Sequence, residues 1–137
     1  MAGPAHQPLR FAGYAGLFDI PDADRDTIRK GAFETSIAGQ ETPFPLLWQH
    51  RANQRIGTVE SVAEDAKGLR VIGRIEAPAS LAANMLAART VSGLSFGYRA
   101  TRARHDDKGR ELLEIELFEV SIVTHPLQHG ARIHLIG

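Results

Sequence analysis

Two strand-like runs constrain this chain more than any other feature: VSGLSFGYRATRA (91–103) and RELLEIELFEVSIV (110–123). They are separated by HDDKG, whose Asp, Asp and Gly are turn chemistry, so the pair reads as one long β-hairpin. With the turn centred near Asp107, Ser95 falls opposite Glu119, and a one-residue slip would send Glu119 to the other face. RIGTVESVAED (55–65) and GLRVIGRIE (68–76) repeat the pattern around Ala66-Lys67-Gly68. LRFAGYAGLF (9–18) reads as a first strand bent or closely approached at its glycines, and ARIHLI (131–136) as a short terminal strand that closes the sheet. Prolines 43 and 45 set an extended lead into LLWQH, and PDADRD (21–26) is a loop. Helices are predicted at 27–39, from Ile28, Phe33 and Ile37, and at 78–89, with Pro78 in the first turn and Ser80 nearby.

The expected fold is therefore α+β, mainly β: a curled sheet or closed β-barrel with a few flanking helices. A chain of 137 residues with 43% hydrophobic and 23% charged side chains builds one core, so a single domain is expected across 1–137. Sixteen basic residues balance sixteen acidic ones, leaving no basic stripe for nucleic acid. The opening MAGPAHQPLR lacks the charged and apolar regions of a signal sequence. No apolar run approaches a membrane span, so neither nucleic acid nor membrane is an expected partner. Without cysteine there is no disulfide, no thiolate metal site and no Cys nucleophile.

Ser95 lies between Leu94 and Phe96 on a buried-strand pattern, so its hydroxyl needs a hydrogen-bond partner or a chemical task. His50, in PFPLLWQH, is a base able to take its proton, and Glu119 a group able to fix the imidazole tautomer. On the residues alone, ordinary readings stand beside these. A strand serine beside glycines is also a packing compromise, a histidine next to Trp48 also an interior side chain, and Glu119 also a solvent-facing carboxylate like Glu114 or Glu116. Asp22, Asp24 and Asp26 mimic the start of a calcium loop. Its sixth position is Thr27 and its twelfth Phe33, where glycine and a bidentate Glu are needed, so a loop is expected. His125, His129 and His134 have no Cys or carboxylate to complete a zinc site, and read as surface polar groups.

Taken in order, DRDTIRKGAF, PLLWQH followed by RIG, GLSFGYR and LFEVSIVTHP resemble the prohead maturation serine proteases of tailed phages and gene-transfer agents, a family similar in fold to the herpesvirus capsid protease. The resemblance spans about residues 10–133. It implies a serine endopeptidase that cleaves scaffold, the scaffold-like N-terminal part of the major capsid protein, or itself, within procapsids assembling in the bacterial cytoplasm. It implies no cofactor or metal. The family's histidine falls on His50 and its nucleophile on Ser95. Where the herpesvirus enzymes use a second histidine, this chain offers Glu119, which orients an imidazole equally well. The herpesvirus relatives also suggest a homodimer, for which Leu81, Ala82, Met85 and Leu86 of the second helix offer a face. Two rival readings remain: a catalytically silent structural or scaffold component of the capsid on the same fold, and an unrelated β-barrel binding module.

Overall fold

The computed structural model describes residues 7–137; residues 1–6, most of the segment read above for a signal sequence, lie outside them. Eight strands and two short helices follow in the order β1 (Leu9–Leu17), β2 (Asp26–Ile28), α1 (Glu34–Ala38), β3 (Pro45–Trp48), β4 (Arg51–Glu64), β5 (Gly68–Ile75), α2 (Leu81–Ala87), β6 (Gly93–Asp106), β7 (Gly109–Val123) and β8 (Ile133–Ile136). One sheet runs β2-β7-β3-β4-β5-β1-β8, with β6 on the far side of β7. It curls into a half-barrel. Two isolated bridges, Gly93 to Arg132 just before β8 and Phe18 to Ile28 at the end of β2, draw the ends of the sheet together. Every strand sends at least one side chain into one hydrophobic cluster, with Leu46, Leu69, Ile75, Leu94 and Ile122 fully enclosed. Among the described residues no helix is long and apolar enough to cross a membrane.

The helix expected over 27–39 is mostly something else. Thr27 and Ile28, both β-branched, belong to β2 and pair in parallel with Glu111 and Leu112 of β7. The chain then turns through Gly31, whose φ of +94° no helix accommodates, and the turn is held by Glu64, which accepts from the amides of Gly31 (2.7 Å) and Phe33 (2.9 Å). Only Glu34–Ala38 is helical. Ile28 and Phe33 do reach the core, from a strand and a turn. The second helix is shorter than its predicted 78–89 span. Ser80 caps it by accepting from the Ala83 amide. Ala82 and Leu86 face the core, so of the face suggested for self-association only Leu81 is largely exposed.

The β6–β7 hairpin forms as expected, but its register is displaced. Asp106 accepts from the amides of Lys108 and Gly109, closing the loop one position later than a turn centred on Asp107. Bulges add to the offset, so Ser95 faces Ser121, and Glu119 faces Gly97. The displacement on β7 is two residues. An even slip preserves the face, which is why Glu119 still shares a side of the sheet with Ser95.

Asp22, Asp24 and Asp26 are occupied by the fold. Asp22 accepts from the amides of Asp24 and Asp26, and Asp26 forms a two-point pair with Arg110 (2.9 and 3.0 Å) while accepting from Tyr98. Arg110 holds the Asp26 carboxyl below its ordinary value against the opposing effect of burial. Burial, with the Asp26 charge beside it, pushes the Tyr98 phenol up to about 12. Because the native carboxyl is the stronger acid, its contribution is present above the unfolded value near ~4 and is lost as pH falls through the native one. Asp26→Asn is therefore expected to cost about 2 kcal/mol at pH 7, since it leaves Arg110 without its partner. Urea titrations should show the gap to wild type closing below about pH 4. A gap independent of pH would assign the loss to packing.

Candidate active site

The site is built where β7 runs between β3 and β6. Along β7 the side chains of Val120 and Ile122 enter the core, so Glu119 and Ser121 point to the opposite face. Simple alternation would send Leu117 to that face as well. It does not, because Phe118 is the extra residue of a bulge: Gly97 pairs with Glu119 while Tyr98 pairs with Leu117. The bulge turns Leu117 into the core and leaves Phe118 half exposed. On β6, Leu94 is fully buried and Phe96 packs on the core, which puts Ser95 on the face of Ser121 and Glu119. Ser95 is 7% exposed.

His50 arrives from the other side of β7. Strand β3 lies parallel to β7, with Trp48 beside Ile122, and a two-residue turn, Gln49-His50, leads into β4 with Trp48 opposite Arg51. Both turn residues are left-handed, at φ 54° and 60°. This is the backbone of a tight hairpin turn normally made by Asn-Gly, and side chains other than glycine or asparagine adopt it at a cost. Tertiary contacts hold it. The Gln49 amide donates to Thr124 Oγ1 (2.7 Å) and accepts from the Thr124 N–H (3.1 Å), while the Gln49 N–H donates to the Ile122 carbonyl (3.0 Å).

The consequence is a defined imidazole. His50 Nδ1–H donates to Glu119 Oε1 at 2.7 Å; the carboxylate is acceptor only, which assigns the proton to Nδ1 and leaves Nε2 as the base. Ser121 O–H donates to Glu119 Oε2 at 2.7 Å, and Ser121 Oγ accepts from the His50 backbone N–H at 3.1 Å. The Glu119 side chain is 12% exposed and that of His50 42%, so one end of the pair is sheltered and the other open to solvent. No hydrogen bond joins His50 Nε2 to Ser95 Oγ among the described residues. In enzymes that pair a hydroxyl nucleophile with a base, that contact is commonly long before substrate binds.

All three residues read from the sequence thus gather around β7, with His50 and Glu119 in direct contact. Ser121, Gln49, Thr124 and Gly97 escaped that reading. Ser121 carried the one available signal, its alternation with Glu119. The histidines of the C-terminal third go elsewhere: His134 meets the edge of Tyr14, and His129 lies in the loop before β8, its carbonyl accepting from Arg132. On the core side of β6 a cavity of about 10 Å³, lined by Ile28, Leu94, Ser95, Phe96 and Gln128, has room for one water.

Comparison with known proteins agrees with this architecture. The family model of the Caudovirus prohead serine protease matches residues 3–136. The prohead protease of Enterobacteria phage HK97 is 35% identical over 130 residues, 90% of this chain and 58% of that protein. The capsid polyprotein of Pseudomonas phage PAJU2 is 30% identical over 129 residues, 86% of this chain but 19% of that polyprotein. The chain therefore spans less than two thirds of either relative. Among solved structures, the bacteriophage T4 capsid assembly protease superposes with a TM-score of 0.68 at 14% identity, covering 87% of this chain and 84% of that one. The KSHV protease bound to a hexapeptide phosphonate inhibitor gives 0.62 at 16% identity, covering 96% of this chain and 65% of that one. At such identities these two superpositions establish the fold alone, and with the family match they lead to one assignment: the chain belongs to the Caudovirus prohead serine protease family.

Proposed function

We propose that the chain is a serine endopeptidase of capsid maturation, cleaving capsid or scaffold polypeptide by acyl transfer through Ser95, His50 and Glu119. The observation that carries this reading is the 2.7 Å bond from His50 Nδ1 to Glu119, which frees Nε2 on the side of the sheet where Ser95 stands. In the reaction His50 Nε2 takes the Ser95 proton as Oγ attacks the scissile carbonyl, then returns it to the leaving amine as the acyl-enzyme forms. Water repeats the sequence and releases Ser95. Glu119 stabilises the imidazolium present in both transition states.

The substrate assignment rests on the relatives. The HK97 protein is a prohead protease, and the PAJU2 protein is a capsid polyprotein with a matching segment inside it, which supports capsid polypeptide, and self-cleavage, as substrate. Assembling procapsids in the bacterial cytoplasm are the corresponding place of action. Past Leu94, whose N–H donates to the Ala131 carbonyl (2.9 Å), β6 pairs with β7 alone among the described residues, which supports an extended peptide added along its other edge beside Ser95. A fluorophosphonate probe should label the protein at Ser95, and the chain mixed with capsid polypeptide should cut it at discrete positions. Absence of both would end the protease reading.

A further inference from the structure

From the packing around Glu119 we infer that Gly97 and Ser121 are positioning residues that together seat its carboxylate, Gly97 by leaving space and Ser121 by supplying a hydrogen bond. This rests on the catalytic reading above. The space is specific. A Cβ built on Gly97 would come within 2.9 Å of both Cγ and Cδ of Glu119, and closer still to Oε1, the oxygen that accepts from His50. Gly97 is opposite Glu119 across the β6–β7 ladder, so the glutamate side chain lies over a stretch of β6 bare of side chain. The φ of Gly97 is outside the left-handed region, which removes the usual reason for a glycine. What the position requires is the missing atom.

Ser121 completes the seat. Its O–H donates to Oε2, and its oxygen accepts from the backbone N–H of His50, so hydrogen bonds run from the His50 backbone through Ser121 and Glu119 to the His50 ring. Backbone and imidazole of one residue are thereby tied to the same carboxylate. Ser121 is fully buried and directly opposite Ser95, and its hydroxyl is committed to this ring, whereas the Ser95 hydroxyl takes no part in it. A side chain pushed off Gly97 is the end of a flexible glutamate, so Gly97→Ala costs the fold little. It costs the site the one oxygen position that orients the base.

The test uses the full chain, a fluorophosphonate probe that reacts with an activated serine, and capsid polypeptide. Gly97→Ala should melt within a few degrees of wild type, yet slow both probe labelling and cleavage by roughly the factor seen for Glu119→Gln, ~10²–10⁴. In the Glu119→Gln background it should add almost nothing, because residues acting as one unit are not additive. Proton NMR supplies a readout apart from activity: the far-downfield Nδ1–H signal of His50 should be lost or displaced in Gly97→Ala and in Ser121→Ala. Wild-type labelling and an unmoved signal in Gly97→Ala, alongside a slow Glu119→Gln, would overturn the seat and leave the catalytic reading standing. A fully active Glu119→Gln would instead strike at the catalytic reading, while the NMR signal would still report whether Gly97 fixes the carboxylate.

Discussion

Replacement of Ser95 by alanine should abolish the proposed cleavage of capsid polypeptide, an expected loss on the order of 10⁶-fold, with the fold retained. Ser95 makes no contribution to the hydrogen-bond ring around Glu119, so removing its oxygen leaves that ring intact. Replacement of His50 should be comparably severe, since the hydroxyl is a poor nucleophile without a base. The choice of substitute matters because His50 occupies a left-handed turn position at φ 60°. Alanine there costs about 1 kcal/mol of strain, while asparagine tolerates that backbone; His50→Asn therefore separates loss of the base from loss of the turn. The Ser95→Ala, His50→Asn double variant should be little worse than either single one, as expected when nucleophile and base act as a unit. Rates from single-turnover cleavage, with melting curves beside them, decide the matter. Full cleavage by purified Ser95→Ala protein would exclude Ser95 as the nucleophile.

How far such a site can be read from sequence depends on what kind of interaction specifies each part. The β6–β7 hairpin was legible because strand alternation and Asp-Asp-Lys-Gly turn chemistry are local signals. The register was not fully legible, because the Phe118 bulge is a tertiary event: simple counting sends Glu119 to the side of Leu117, and only the pairing with β6 shows that they part. Residues 27–33 carried apolar side chains at helical spacing, yet pairing with β7 and the grip of Glu64 on Gly31 and Phe33 override that local preference. Gln49-His50 is not a sequence that announces a tight hairpin turn. Its conformation is imposed by Thr124 and Ser121, about 70 residues away along the chain. Gly97 was legible as a glycine but not as a seat, since its purpose appears only when Glu119 is placed over it.

The sharpest chemical test is Glu119→Gln, which keeps shape and removes charge. The expected loss is ~10²–10⁴ in rate, or a few kcal/mol of transition-state stabilisation. Two effects act together. The imidazolium formed as Ser95 attacks no longer faces an anion, and the amide brings a donor to a site built from acceptors. Glu119 Oε2 now receives the Ser121 proton and Oε1 that of His50 Nδ1. An amide can satisfy only one of them with oxygen. If its NH₂ turns toward His50 it donates to Nδ1, drives the ring proton to Nε2, and leaves Ser95 facing a nitrogen that cannot accept. If it turns toward Ser121, that buried hydroxyl must give up its role as donor. Neighbouring substitutions set the background. Glu116 pairs with the exposed Arg99, and His125 lies exposed beyond the end of β7, so Glu116→Gln and His125→Ala should cleave at close to the wild-type rate. Comparable losses for Glu119→Gln and His125→Ala would point to a histidine as third member, and a wild-type rate for Glu119→Gln would reduce the machinery to Ser95 and His50.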